Sequence, residues 1–337
     1  MCQYSSKDGM ATDWHLVHLG SRAVGGAGLV MVEATAVEAE GRISRADMGL
    51  WNDGQIAPLA RIAEFVAGQG AVPAIQIAHA GRKASTAIPW EGNRALTPEE
   101  GAWEVVGPSS IPFDDGFPAP RELTKEEIAS LTASFARAAR RALAAGFRIL
   151  EIHSAHGYLF HEFLSPLSNR RTGEYGGSFP NRTRFLCETV KAVRAVWPED
   201  RPLFVRLSAT DWKEGGWDVD QTVTLAGCLR DLGVDLIDVS SGGILPGIRI
   251  PAGPGYQTEF AARIRREAGI ATAAVGEITA PAQADHIIRT GQADMVLLAR
   301  EFLRQPYWPL HAAQALGHPA PVPRQYPRAF PSPPRSV

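Results

Sequence analysis

The chain has 337 residues, of which 45% are hydrophobic and 21% charged, and carries a formal net charge of −2. That is the balance of an ordinary globular protein, and it excludes recruitment of nucleic acid or an anionic membrane by a global field, so any phosphate has to be held by local groups. The length admits two average domains or one large barrel. Three cysteines, Cys2, Cys187 and Cys228, share no metal-ligand spacing, which predicts free thiols in a reducing compartment. No signal peptide or bilayer-length apolar stretch is visible, and the expected location is cytoplasmic.

The first residues, MCQYSSKDG, enter as though in the middle of a strand. AGLVMVEATAV (27–37) reads as a strand and IAPLARIAEFVAGQG (56–70) as a helix closing on Gly70. AVPAIQIAHAG (71–81) is the next strand, and a Pro- and Gly-rich excursion runs from Arg82 to Leu123. The helix over 124–146 opens with a capping box, Thr124 and Glu127, and closes on Gly146. Phe147, Ile149, Leu150 and Ile152 mark a buried strand that ends at His153, and a helix follows over 181–198 with Asn181 as its expected N-cap. Strand and helix then alternate: strands over 202–212, 234–243, 270–279 and 293–300, with helices over 218–233, 256–269 and 280–291 between them. Seven apolar strands joined by helical crossovers imply a parallel sheet covered on both faces. A stub at residues 1–6 could complete eight. The rival, an open doubly wound sheet, would normally show a GxGxxG turn after its first strand, and none is present. The expected fold is therefore α/β, a (β/α)8 TIM barrel.

Chemistry in such barrels gathers at the C-terminal strand ends. Those ends carry Cys2 and Tyr4; Glu33 and Ala34; Gln76 and His79; His153, His156 and Tyr158; Arg206 and Asp211; Ser240 and Ser241; Gly276 and Glu277; and Arg300. Three readings are open for His153 and His156. A metal site would need a third ligand, and HExxH is absent although His161–Glu162 occurs. A buried structural histidine is the bland reading. In the third, two neutral imidazoles point N–H groups at one oxygen, and such a donor is worth about 2.7–4 kcal/mol in a transition state. Tyr158 could then be a proton donor. Arg206, inside LFVRLSA, stays charged and needs a carboxylate or, failing that, an anionic ligand. VGEIT and LAREF offer backbone N–H groups and Arg300 where barrels often bind phosphate. These parts suit a phosphorylated cofactor facing a carbonyl compound. A flavin-free lyase or isomerase using Tyr158 and the histidines as acid and base is the rival class, and no assigned strand ends in the lysine of a Schiff-base lyase.

QIAHAGRKAS (76–85), HSAHGYLFHEFLSPLSNRRTGEYGGSFPNRTRF (153–185), VRLSATDW (205–212) and GYQTEFA (255–261) together carry a family resemblance. The chain resembles the Old Yellow Enzyme family of FMN-dependent ene-reductases, and within it the bacterial subgroup with a cysteine near the flavin. The resemblance implies non-covalent FMN with Met1, Cys2, Ala34 and Gln76 about its ring, Arg206 at its pyrimidine edge, and Gly276, Ala299 and Arg300 at its phosphate. It implies that Cys2 tunes the potential, that His153 and His156 bind the substrate's carbonyl oxygen with Tyr4 orienting it, and that Tyr158 protonates the α-carbon. NADPH would be the electron donor and activated alkenes the substrates, with no metal. Wider relatives reduce dienoyl thioesters with the help of an iron–sulfur cluster, which three scattered cysteines disfavour. By the same resemblance residues 1–310 form a single FMN-binding barrel, with the excursion 82–123. The tail 311–337 would carry Arg328, in RQYPRAF, to a neighbouring subunit of a homodimer or homotetramer. Family members begin further upstream, so the first strand is expected to be truncated. Where they usually have Gly, this chain has Ala299, whose methyl narrows the phosphate site.

Overall fold

The computed structural model describes residues 1–330. Seven parallel strands pair in sequence order: β1 (Leu29–Ala36), β2 (Val72–Ala78), β3 (Ile149–Ser154), β4 (Leu203–Ser208), β5 (Leu236–Ser240), β6 (Ala271–Ala274) and β7 (Met295–Val296). Residues 1–6 are not a strand, contrary to the completing role the stub could have had. Their groups are used differently: the Ser6 N–H bonds to the Ala46 carbonyl, and the Gln3 N–H to Glu33. The last strand is also shorter than expected, because Arg300 already begins a five-residue helix, Arg300–Arg304.

Helices cover the outer face. The capping box at Thr124 forms as expected, with the Glu127 N–H donating to the Thr124 hydroxyl at 3.2 Å and the Thr124 N–H to the Glu127 carboxylate at 2.8 Å. The helix expected to start at Asn181 begins earlier, at Phe179 behind Ser178, because Pro180 lacks an N–H and fits the first turn.

Side chains alternate across each strand. Val30, Ile75, Ile77, Leu150, Ile152, Val205, Ile237 and Val239 face the helices and belong to the main core. Their neighbours in sequence face the barrel axis. There Ala74, Ile149, Phe204, Leu236 and Ala273 form a separate apolar plug at the N-terminal end. Two residues further on, the same inward face turns polar: Gln76, Glu151, Arg206 and Asp238. Strand register sets these side by side, Gln76 against Glu151 and Arg206 against Asp238. A slip of one residue would drive Glu151, Arg206 and Asp238 under the helices, where an unpaired charge costs several kcal/mol. The apolar outer face and the polar inner end therefore fix the register together.

After β3 the chain turns sharply into the helix Leu159–Leu164. His156 and Gly157 make that turn with φ of +59° and +74°. A Cβ at position 157 would lie 2.1 Å from the Gly243 carbonyl oxygen, so only glycine lets the loops after β3 and β5 touch. Gly157→Ala is expected to cost at least about 2 kcal/mol of stability from strain and the backbone clash. Denaturant titration of the variant against the native chain measures this.

Candidate active site

A cavity of about 850 Å³ runs along the inside of the sheet, from Gly28, Leu29, Val72 and Ile149 near the N-terminal strand ends to the polar end. Met1, Cys2, Tyr4, Ala34, Gln76, His153, His156, Tyr158, Arg206 and Ala299 all line it. Three expected site residues stand apart from that lining. Gly276 follows β6 at φ +123° and meets Gln257 and Tyr256 rather than open space. The Arg300 side chain is 66% exposed, with a loose 3.8 Å contact to Glu277. Arg328 is exposed on the C-terminal tail.

A carboxylate does answer Arg206: its Nε lies 3.0 Å from Asp238 Oδ2. The geometry falls short of a hydrogen bond, and Arg206 Nε, Asp238 Oδ1 and Glu151 Oε2 are buried without a hydrogen-bond partner among the described residues. Gln76 donates to Glu151 Oε1 at 2.6 Å. Burial pushes the Glu151 carboxyl up to about 8, with the Asp238 charge adding to the shift and Arg206 opposing it. Burial likewise raises Asp238 against the pull of Arg206. Glu151 and Asp238 were missed in the sequence as site residues. The signal was there: each stands two residues before an inward rim residue, His153 or Ser240, on a strand of period two.

The histidines stand edge to face, ring centres 5.1 Å apart, with His153 Nε2 3.3 Å from His156 Nδ1. The Ala155 N–H donates to His153 Nδ1 at 3.2 Å, and His156 Nε2 lies 2.7 Å from the Ser240 hydroxyl. The Tyr158 ring stands 5.0 Å from that of His153. Burial, helped by the Arg206 cation, holds both imidazoles well below the usual histidine range, so they are neutral at pH 7. Burial pushes the Tyr158 phenol well above its ordinary value, so it keeps its proton. Lys83, which the sequence did not single out, donates to the carbonyls of His156 at 2.9 Å and Gly243 at 3.2 Å and lies 5.2 Å from the Tyr158 ring centre. Burial and the neighbouring Arg82 lower its amine to about 8.

Near the N-terminus, burial pushes the Cys2 thiol well up, so it is a thiol rather than a thiolate. Cys2 and Tyr158 pack against one apolar cluster that includes Ala80 and Val105. Tyr4 adopts φ +49° and meets Trp90 edge to face at 6.0 Å. Among the described residues no group of three or more His, Cys, Asp or Glu could hold a metal, and no helix is long and apolar enough to cross a membrane.

A planar polar cofactor fits these residues. Arg206, its side chain partly exposed, and Gln76 line the cavity as polar groups, the cavity has the size of a cofactor site, and Ala34 and Cys2 add small groups to its wall.

Comparison with known proteins agrees. Residues 1–318 match the model of the NADH:flavin oxidoreductase / NADH oxidase family. An NADPH dehydrogenase of Geobacillus sp. (strain WCH70) is 50% identical over 332 residues, covering 98% of this chain and 92% of the relative. One of Listeria innocua is 49% identical, covering 98% and 93%. Among solved structures, morphinone reductase superposes with TM-score 0.76 at 28% identity, covering 95% of this chain and 85% of that one. A 2-naphthoyl-CoA reductase bound to 2-naphthoyl-CoA superposes with TM-score 0.83 at 27% identity, but this chain spans only 49% of its length. With its family model matched over almost the whole barrel and relatives at half identity covering nearly all of it, the chain belongs to the NADH:flavin oxidoreductase / NADH oxidase family, as an FMN oxidoreductase of the Old Yellow Enzyme type.

Proposed function

We propose that this oxidoreductase takes electrons from NADPH and reduces the C=C bond of α,β-unsaturated carbonyl or nitro compounds. The observation that carries the reading is the meeting, on one cavity wall, of two neutral imidazole edges 3.3 Å apart and a protonated phenol. FMN, when bound, would supply the hydride-transfer chemistry between NADPH and the alkene. His153 and His156 bind the substrate's oxygen and draw electron density through it, which makes the β-carbon electrophilic; their bonds strengthen as charge grows there. Tyr158 holds the proton for the α-carbon, and Tyr4 orients the substrate. Arg206 and Gln76 would hold the ring's polar edge, with Met1, Cys2 and Ala34 along it. Ala299, together with Gly276 and Arg300, would hold the phosphate. Cys2, as a neutral thiol, adjusts the ring's electron affinity. Its exposure supports Arg328 as a group that serves a neighbouring subunit's site in a homodimer or homotetramer. Arg328→Ala should then raise KM for the enone while the oligomer, sized by sedimentation, stays intact.

The direct test is an anaerobic visible spectrum of the FMN-loaded chain: NADPH should bleach the flavin and cyclohexenone should restore it. Bleaching without recovery for any enone or nitroalkene would sink the substrate assignment. Tyr158→Phe should leave bleaching intact and slow recovery by about 100-fold or more.

A pH effect follows from Glu151. Its carboxyl, raised to about 8, is neutral below that pH and anionic above it. The anion would offset Arg206 beside the ring and oppose electron uptake. The midpoint potential of bound FMN should therefore fall more steeply as pH rises through about 8, and Glu151→Gln should remove the extra slope. Spectroelectrochemical titration of both proteins measures it.

A further inference from the structure

We propose that Ser240 is a positioning residue that sets the tautomer of His156 and so makes the histidine pair a two-donor clamp for a single oxygen. The inference rests on the reading that this pair holds the substrate's oxygen, and deepens it by naming what aims the second donor.

His153 Nδ1 accepts the Ala155 N–H, so the neutral ring carries its proton on Nε2. That N–H faces His156 Nδ1 across 3.3 Å. The far nitrogen of His156, Nε2, lies 2.7 Å from the Ser240 hydroxyl. Two arrangements of His156 are possible. In one, Nδ1 accepts from His153 and Nε2–H donates to Ser240. The serine proton then has no acceptor among the described residues, although the residue is only 5% exposed. That arrangement also consumes the His153 donor inside the pair and leaves nothing for a ligand.

In the other, the Ser240 hydroxyl donates to Nε2, and the His156 proton moves to Nδ1. Now two N–H groups converge on the same gap with no acceptor between them. An outside oxygen with two lone pairs completes the set, as a carbonyl or a nitro oxygen does. The 2.7 Å contact serves either direction; what separates the two is that the first strands the Ser240 proton, while the 3.3 Å between the rings is long for a direct bond. The backbone supports the second arrangement too. Ser240 ends β5 with its carbonyl accepting the Ala209 N–H at 2.8 Å. Ser208, paired with it in register, accepts the His156 N–H at 3.0 Å and donates to the Gly242 carbonyl at 2.9 Å. One serine fixes the histidine's backbone and the other its ring.

The test uses the FMN-loaded full chain with nitrogen-15 histidine. Two-bond proton–nitrogen correlations report which ring nitrogen is protonated, and the His156 signals are those lost in His156→Gln. We expect Nδ1–H at His156 in the native chain and in Ser240→Thr, and a move to Nε2–H in Ser240→Ala. Cyclohexenone-dependent flavin reoxidation should slow on the order of 100-fold in the alanine variant and survive in the threonine one. Native His156 protonated on Nε2, or an Nδ1–H that persists in Ser240→Ala, would overturn the proposal. Failure of the underlying reading looks different: the native tautomer is as stated, but cyclohexanone moves neither ring's resonances. That result would leave the role of Ser240 standing and remove the carbonyl from the pair.

Discussion

In a parallel strand every second side chain faces the barrel axis, and four adjacent strands carry charge or hydrogen-bonding groups at neighbouring inward positions near one end. Arg206 is the permanent charge among them. Such a cation cannot be buried alone. Asp238 comes from the adjacent strand, and Glu151 with Gln76 from the strands on the other side, all by register rather than by loop placement. The apolar group of Ala74, Ile149, Phe204 and Leu236 forms the layer below, with Ile149 still on the cavity wall. The open face of the layer is the cavity floor, so packing that neutralises Arg206 also leaves one side of it free for a ligand.

A second constraint acts at the turn after β3. His156 sits at φ +59°, a conformation that β-branched residues resist and that an imidazole accepts only when held. The holding groups come from other elements: Ser208 on its N–H, Lys83 on its carbonyl, and Gly243 against Gly157. This turn sets His156 against His153 and then throws Tyr158 back over the same wall. The same turn sets the His156 ring 2.7 Å from the Ser240 hydroxyl.

Much of this could be read from the sequence, since the alternation of apolar strands with capped helices announces the barrel, and polar residues closing apolar runs announce His153, His156, Tyr158, Gln76 and Arg206. Glu151 and Asp238 were harder to see, because a charge inside an apolar run reads as an exception until its partner's register is known. Lys83 was hidden for another reason: its role depends on two carbonyls from loops after different strands. Gly276 and Arg300 were placed at strand ends, but the last strand is only two residues long and Arg300 turns outward on a short helix. The N-terminal stub failed as a strand because its backbone groups bond to Ala46 and Glu33 instead of a sheet neighbour.

The electrostatics of the wall favour neutral donors over charged ones. Arg206 and Lys83 both raise the cost of a proton on either imidazole, and burial raises it further. A cationic histidine would bind any anion strongly before reaction as well as after it. A neutral one binds a carbonyl modestly and gains as negative charge develops, which is the difference that lowers a barrier. The same burial keeps Tyr158 protonated, so the proton it offers is not lost to solvent at neutral pH. In the proposed reaction, acid and electrophile would thus be held in their working states by one cause, removal from water, and no titration of either group near pH 7 would be needed to ready them.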